Sequence, residues 1–364
     1  MLKWQHQFQF AGYYMALEKG FYHAVDLNVQ IIEYDNTHNV TQAVVKQPAT
    51  YGITSSGALL SYAQGQPIQA LAAILQHSPM ALMVLKDSNI HRIKDLMGKR
   101  ISLKPTDENI EIIADLAKHH IYAHDYMYHD KTLGIKELIE HRTDAFPVYL
   151  SHEPNMLRQQ GISFRLFYPK DDGIDFYGDV LITSKQETDH HPDRVNHFLT
   201  ATQRGWQYAL SHVDESIDVI LKKYNSQHLS RQNLRLEAQA LQSFIMADIV
   251  PIGYMNPTRW QEIADTYVDL GLLSNNNALN GFIYHPEDIS HWLLDHRWQL
   301  VTVLLFIFLC IAFFMVWNLR QKGLQRIAQL EMVQRSNLER DAMQLELKKK
   351  NQLLQQALKD AEQA

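Results

Sequence analysis

The sequence predicts an α/β protein built on open, mainly parallel sheets, followed by a single membrane-crossing helix and a helical tail. Three observations carry this reading. Short apolar strands alternate with helical stretches through the first half of the chain, the βαβα rhythm of sheets covered by helices on both faces. From about 192 to 273 the pattern turns mainly helical. Residues 298–319 (WQLVTVLLFIFLCIAFFMVWNL) then run 22 positions without a charge.

The elements follow in order. Residues 2–5 read as a strand, 13–19 as a helix stopped by Gly20, and 29–33 (VQIIE) as a second strand. A short helix at 40–46, a strand at 51–54 and a helix at 57–64 ended by Gly65 come next. Strands are expected at 68–74, 81–85 and 100–103, with a helical turn at 93–96 before Gly98. In open α/β sheets, ligands meet the carboxyl ends of strands, where loops and helix N-termini converge.

Composition narrows the function classes. With 364 residues the chain has room for two compact lobes and further elements. A net charge of −6 argues against a nucleic-acid binder, so no nucleic-acid partner is expected. Cys310 is the only cysteine and lies in the apolar run, which excludes an internal disulfide, paired-cysteine catalysis and a cysteine zinc site. Nineteen histidines invite a metal, but His119, His120, His124, His129, His190 and His191 lack a helix-face ligand motif such as HExxH. They read as surface positions, and neither a metal nor a cofactor is expected.

Roughly 20 apolar residues span a ~30 Å hydrocarbon core as a helix, and Trp298 and Trp317 suit its two interfaces. Arg320, Lys322, Arg326, Arg335 and Arg340 follow the run, while Asp295, His296 and Arg297 precede it. The positive-inside rule therefore places 320–364 in the cytoplasm and 1–297 in the periplasm of a single-pass bacterial inner-membrane protein. Met1 opens directly into domain sequence, so a removed signal peptide or a start within a longer chain is expected. The tail lacks Pro, and Gly323 is its only Gly. Leu338, Leu345 and Gln352 keep a seven-residue step, as do Leu347, Leu354 and Ala361, although Asp341 and Lys348 interrupt the first register. A continuous helix of moderate coiled-coil character, pairing as a homodimer, is expected.

Several segments, in order, resemble the thiamine-pyrimidine synthase-like (SsuA/thiamine-precursor-binding) family of periplasmic solute-binding proteins. They are WQHQFQFAGYYMALEKGFY (4–22), ITSSGALLSYAQGQPIQALAAILQHSPMAL (53–82), IHRIKDLMGKRISL (90–103), FYGDVLITS (176–184), GWQYAL (205–210) and IGYMNPTRWQEIADTYVDLGLL (252–273). The resemblance implies a two-lobed, type II periplasmic-binding-protein-like domain over 1–290, with lobe 1 at about 1–84 and 190–290 and lobe 2 at about 85–189. The QHSP form at 76–79 most resembles members fused to membrane-bound sensors with a histidine kinase or diguanylate cyclase output. No kinase or cyclase motif is present here, so such a module is expected beyond Ala364. The family also includes enzymes that make the thiamine pyrimidine from their own histidine and a pyridoxal phosphate lysine. The matching positions here are Thr54 and Ala58, which supply neither amine nor imidazole, so an enzyme is not expected.

Binding of a small polar or heteroaromatic solute needs a flat aromatic face and a few directed polar groups. Trp4 and Tyr14 can supply the face. Ser55, Ser56 and Gly57 precede a helix and can meet a polar group, or simply cap that helix. Gln76, His77 and Ser78 follow a strand at its carboxyl end. Tyr149 and Glu153 (YLSHEP) and Tyr177 and Asp179 (FYGDV) complete the expected set, with Glu153 the first choice for a ligand-contacting carboxylate and Asp179 possible at a hinge instead. The expectation is a membrane-bound sensor of a small solute, such as a thiamine pyrimidine precursor, with a tethered importer component as the alternative.

Overall fold

The computed structural model describes residues 1–35, 39–103, 107–129, 134–275, 279–285 and 297–362. By its contacts the chain divides into two units, Met1–Pro286 and Glu287–Ala364.

In the first unit the chain runs α1 (Ala11–Glu18), α2 (Val40–Lys46), β1 (Tyr51–Thr54), α3 (Ala58–Ala63), β2 (Ile68–Ala73), β3 (Met80–Leu85), β4 (Arg100–Ile101), α4 (Ile110–Lys118), β5 (Met127–Tyr128), α5 (Lys136–Ile139), β6 (Phe146–Tyr149), α6 (Glu153–Gln159), β7 (Phe164–Phe167), β8 (Val180–Ser184), α7 (Lys185–His190), α8 (Pro192–Ser211), α9 (Val213–Lys223), α10 (Arg231–Ile245) and α11 (Pro257–Asp269). Local chemistry sets several ends. Asn39 caps α2 by accepting from Gln42 N, Ser230 caps α10 through Asn233 N, and Asn256 caps α11 through Thr258 N, with Pro257 at the first helical position. β2 (IQALAA) and β3 (MALMVL) are buried at every position, as continuous apolar strands covered on both faces must be.

The strands form two three-stranded sheets, β1-β8-β2 and β6-β3-β7, and a two-stranded pair, β4-β5. β8 runs antiparallel to both β1 and β2, and β3 antiparallel to both β6 and β7; of the named pairs, β4-β5 is parallel. The expectation of mainly parallel sheets is thus corrected. Each sheet takes its central strand from a segment that passes between the sheets, 74–79 leading into β3 and 168–179 leading into β8. Such a strand reaches its neighbours without a βαβ crossover, so the parallel rule does not govern it.

β3 (Met80–Leu85) lies between β6 and β7, and β8 (Val180–Ser184) lies between β1 and β2. The strands expected at 2–5 and 29–33 do not form. That stretch makes isolated backbone bonds, Leu2 N to Ile32 O at 2.8 Å and Ile53 N to Met1 O at 3.1 Å, rather than a ladder.

Around the first sheet, α1, α8, α9 and α10 enclose a core that includes Phe8, Tyr14, Met15 and Trp206, and α11 closes the other face with Trp260 and Tyr267. α1 and α8 cross at two glycines. A Cβ on Gly205 would stand 2.1 Å from Gly12 O, and one on Gly12 would stand 2.2 Å from the Trp206 ring. Two smaller clusters flank the second sheet. α4 serves both halves: Ile110 and Ala114 join the first-sheet core, Ile112 and Leu116 the second.

The second unit holds α12, a continuous helix over Arg297–Glu362. It is long and apolar enough to cross a membrane. Its apolar side chains stand exposed, Phe306 at 68% and Phe313 at 74% of their accessible area, so the helix by itself buries none of this surface. Of residues 286–297, which lead into this helix, only Arg297 lies among the described residues.

Candidate functional site

The N-terminal segment runs beside the ends of both sheets and brings polar side chains into the interior. Phe8 and Phe10 are wholly buried, which carries Gln9 between them to 1% exposure. A buried amide must find partners, and Gln9 Nε2 donates to both Asp179 carboxylate oxygens, at 2.9 and 2.8 Å. Asp179 precedes β8 and is itself 1% exposed. Its Oδ1 also lies 3.2 Å from Lys3 Nζ and accepts from Tyr149 OH at 3.4 Å. Lys3 Nζ donates to the Tyr149 hydroxyl at 2.6 Å. An ammonium, a carboxylate, a phenol and an amide thus close on one another.

Burial works to lower the Lys3 pKa, but Tyr149 and then Asp179 outweigh it, and Lys3 is held above its ordinary value as a firm cation. Burial raises the Tyr149 phenol above its usual range. Glu111 on α4 completes the buried charges; its burial pushes the carboxyl up to about 7, against the attraction of Lys3 and a hydrogen bond with Ser78. Behind the N-terminal segment Glu237 accepts from Phe8 N and Gln9 N at 3.1 and 3.2 Å and is likewise raised by burial to about 7.

This network opens onto a cavity of about 70 Å³ lined by Lys3, Trp4, Gln7 and Gln9, by Glu108 and Asn109 before α4, and by Met80, Phe146, Pro147, Tyr149 and Glu153 from the second sheet and α6. Trp4 stacks near-parallel on Tyr34, ring centres 6.2 Å apart. Three larger cavities, of about 420, 590 and 870 Å³, lie elsewhere among the described residues. The one of about 420 Å³ includes Arg194, whose guanidinium is held by Glu187 at 2.6 and 2.7 Å; no charged residue lines the one of about 590 Å³. On the small cavity an ammonium, a carboxylate, a phenol and amides converge, the kind of lining a recognition site needs.

The residues expected from sequence fall into two sets. Trp4, Tyr149 and Glu153 line the cavity, and Asp179 is bonded to three of its lining side chains. One Glu153 oxygen already accepts from Tyr149 N at 2.9 Å, at the start of α6. The other eight lie outside that lining. Tyr14 is core, stacked on Tyr224 at 4.2 Å with its hydroxyl 2.8 Å from His6 Nδ1. Ser55 accepts from Gly57 N and Ser56 bonds the Tyr267 hydroxyl at 3.0 Å, so these three residues shape the turn into α3. Gln76 ties its amide to Ala73 O and Tyr254 O. His77 Nδ1 meets Asp175 at 2.7 Å, with Arg259 3.2 Å away. That pairing holds the Asp175 carboxyl below its usual range despite its burial. Ser78 donates its backbone N to Phe176 O, and the Tyr177 hydroxyl accepts from Asn256 N under the Arg259 guanidinium. Gln76, His77, Ser78 and Tyr177 fasten the two passages between the sheets. Lys3, Gln7, Gln9, Glu108 and Asn109 were missed. The alternation of glutamine with aromatic residues in HQFQF was the available signal.

The sequence model of the family described as NMT1/THI5 like matches residues 7–216. Among curated relatives, the riboflavin-binding protein RibY of Chloroflexus aurantiacus is 27% identical over 283 residues, covering 73% of this chain and 78% of that protein. The formylaminopyrimidine-binding protein of Halalkalibacterium halodurans is 20% identical over 276 residues, 72% of this chain and 82% of that one. A shorter match, 25% over 218 residues, is to a Legionella pneumophila protein named 4-amino-5-hydroxymethyl-2-methylpyrimidine phosphate synthase, covering 57% and 67%. Among solved structures, the alkanesulfonate-binding protein SsuA of Xanthomonas axonopodis pv. citri superposes with a TM-score of 0.60 at 15% identity, over 76% of this chain and 96% of that one. The fold is therefore periplasmic-binding-protein-like.

Proposed function

We propose, from the premise that the chain belongs to the NMT1/THI5-like family, that it is an extracytoplasmic sensor which binds a small nitrogen heteroaromatic solute between its two sheets and relays lobe closure through α12. The observation that carries the binding reading is the buried Lys3–Asp179–Tyr149–Gln9 network at the Trp4 cavity. The relatives named for riboflavin and formylaminopyrimidine support a ring ligand. Trp4 offers a stacking face, and Glu153 with Gln7 and Gln9 offers groups for exocyclic amines and carbonyls.

At about 70 Å³ the cavity is far below the roughly 300–1,000 Å³ usual for such ligands. In this reading the described state is closed, and ligand enters when the passages at 74–79 and 168–179 flex. Ligand then shifts the equilibrium only by its difference in affinity between the two states. The lobes are the sheet β1-β8-β2 with α8–α11 and the sheet β6-β3-β7 with α5 and α6.

Binding, rather than catalysis, is the role this site supports. A catalytic lysine that forms a Schiff base needs a lowered pKa, whereas Lys3 is raised by its partners. Thr54 and Ala58 offer no amine or imidazole.

The relay rests on α12, which continues unbroken from the apolar run into the charged tail. In the proposed topology 298–319 span the bacterial inner membrane, the first unit is periplasmic, and the tail pairs in a cytoplasmic dimer. The test is disulfide cross-linking of Leu345→Cys in a Cys310→Ser background, with the full chain in nanodiscs. A sensor changes its cross-linking rate when ligand is added. The second reading, a tethered importer component, is favoured by Asp341 and Lys348 interrupting the tail's heptad step; it binds ligand with no change in that rate.

A further inference from the structure

We propose that Asp115, His119 and Asp172 form a divalent-cation site of the zinc class, separate from the solute cavity. Asp115 and His119 are four residues apart on α4 and so share one face. Asp172 ends the single helical turn at Pro169–Asp172, where Gly173, at φ +82°, reverses the chain. His119 Nε2 lies 3.2 Å from Asp172 Oδ2 and 3.8 Å from Asp115 Oδ1, and the three ligand atoms fall within 4.8 Å of one another. Oxygen and nitrogen ligands at about 2.0–2.2 Å from a tetrahedral zinc stand roughly 3.3–3.6 Å apart, so the two edges that meet at His119 are close to that spacing.

The independent sign of a ligand is Asp115 itself. Its side chain is 5% exposed, yet Oδ1 has no hydrogen-bond partner. A buried carboxylate oxygen left without a donor is costly, and a cation removes that cost. Lys118 works against the site by its charge, although its ammonium is engaged by the backbone carbonyl of Asp172 rather than by a carboxylate.

One imidazole and two carboxylates suit Zn²⁺ better than Mg²⁺ or Ca²⁺, which favour all-oxygen shells. His119 and Asp172 remain 26% and 37% exposed, leaving room for water in the fourth position. The placement gives the ion a mechanical consequence. α4 packs into the cores of both halves, and Asp172 lies on the return passage into β8, so a bound cation fastens that passage to α4.

The probe is Co²⁺, titrated into the full chain in nanodiscs and read by its visible d–d bands and by thermal unfolding. The expected result is one saturating equivalent that raises the melting temperature. Affinity should be at least about tenfold weaker in His119→Ala and Asp172→Asn, and unchanged in His124→Ala, whose side chain is 79% exposed. Asp115→Asn keeps the buried shape and should show the same loss if another variant fails to fold. The proposal is overturned if no saturable bands form, if they survive in His119→Ala, or if His124→Ala weakens them equally.

Discussion

Asp179→Ala tests the buried network directly. The carboxylate is 1% exposed and faces the Lys3 ammonium at 3.2 Å, on a side chain 9% exposed. Its removal leaves the Lys3 ammonium hydrogen-bonded to the Tyr149 hydroxyl without its carboxylate and strands the Gln9 amide, which donates to both Asp179 oxygens. Breaking a buried ion pair from one side costs about 3–5 kcal/mol, and an orphaned buried donor about 1–3 kcal/mol. The two losses share one network and do not add fully; about 4 kcal/mol is expected. For a unit of this size that is a fall in melting temperature of about 7 °C. Lys3→Met combined with Asp179→Ala removes the stranded charge and should recover at least half of the loss. Thermal unfolding of the full chain, followed by tryptophan fluorescence, reads both. A loss below about 1 kcal/mol in the single variant, or a double variant no more stable than the single, refutes the claim that this pair is a desolvated, interdependent unit.

Two further outcomes follow from the packing and the buried acids. Gly205→Ala places a methyl 2.1 Å from Gly12 O and 2.6 Å from Ala16 Cβ, so α1 and α8 must separate; a loss of about 3 kcal/mol or more, at the upper end of overpacking, is expected in thermal unfolding. Glu111 is raised from 4.5 to about 7, so the folded state binds its proton more tightly than the unfolded chain. Its contribution is favourable below about pH 4.5 and is lost as pH rises to about 7, a swing of about 3 kcal/mol. Glu111→Gln does not titrate, so its stability relative to the parent should rise by that amount between pH 4.5 and 7.5; a constant difference would show that Glu111 is not raised.

Local signals were read at their true positions where the cause is local. The helix at 40–46 and the strand at 51–54 have the bounds expected, because an asparagine cap and a β-branched run act within a few residues. Strand direction was not legible. β3 and β8 owe their orientation to passages between sheets, which periodicity does not encode. Residues 29–33 have strand composition but form no ladder, only the isolated bond from Leu2 N to Ile32 O. In the site, Trp4, Tyr149, Glu153 and Asp179 could be picked out as chemistry-bearing residues in recognisable segments. Tyr14 has the same credentials yet faces the core, since both faces of α1 are covered. Lys3 and Gln9 escaped notice because their role depends on partners 146 and 170 residues away. Likewise Asp115 and His119 announce only a shared helix face; Asp172, 53 residues beyond His119, makes the triangle.

The central claim is that solute binds at the Trp4 cavity. Its most direct measurement is isothermal titration of the full chain in nanodiscs with pyrimidines, flavins and sulfonates, repeated with Trp4→Ala and Glu153→Ala. Saturable binding of a nitrogen heteroaromatic ligand is expected, weakened about tenfold or more in both variants, as loss of a stacking face or a charged hydrogen bond of roughly 1.4 kcal/mol requires. Binding of the best ligand that is unchanged in both variants would contradict it.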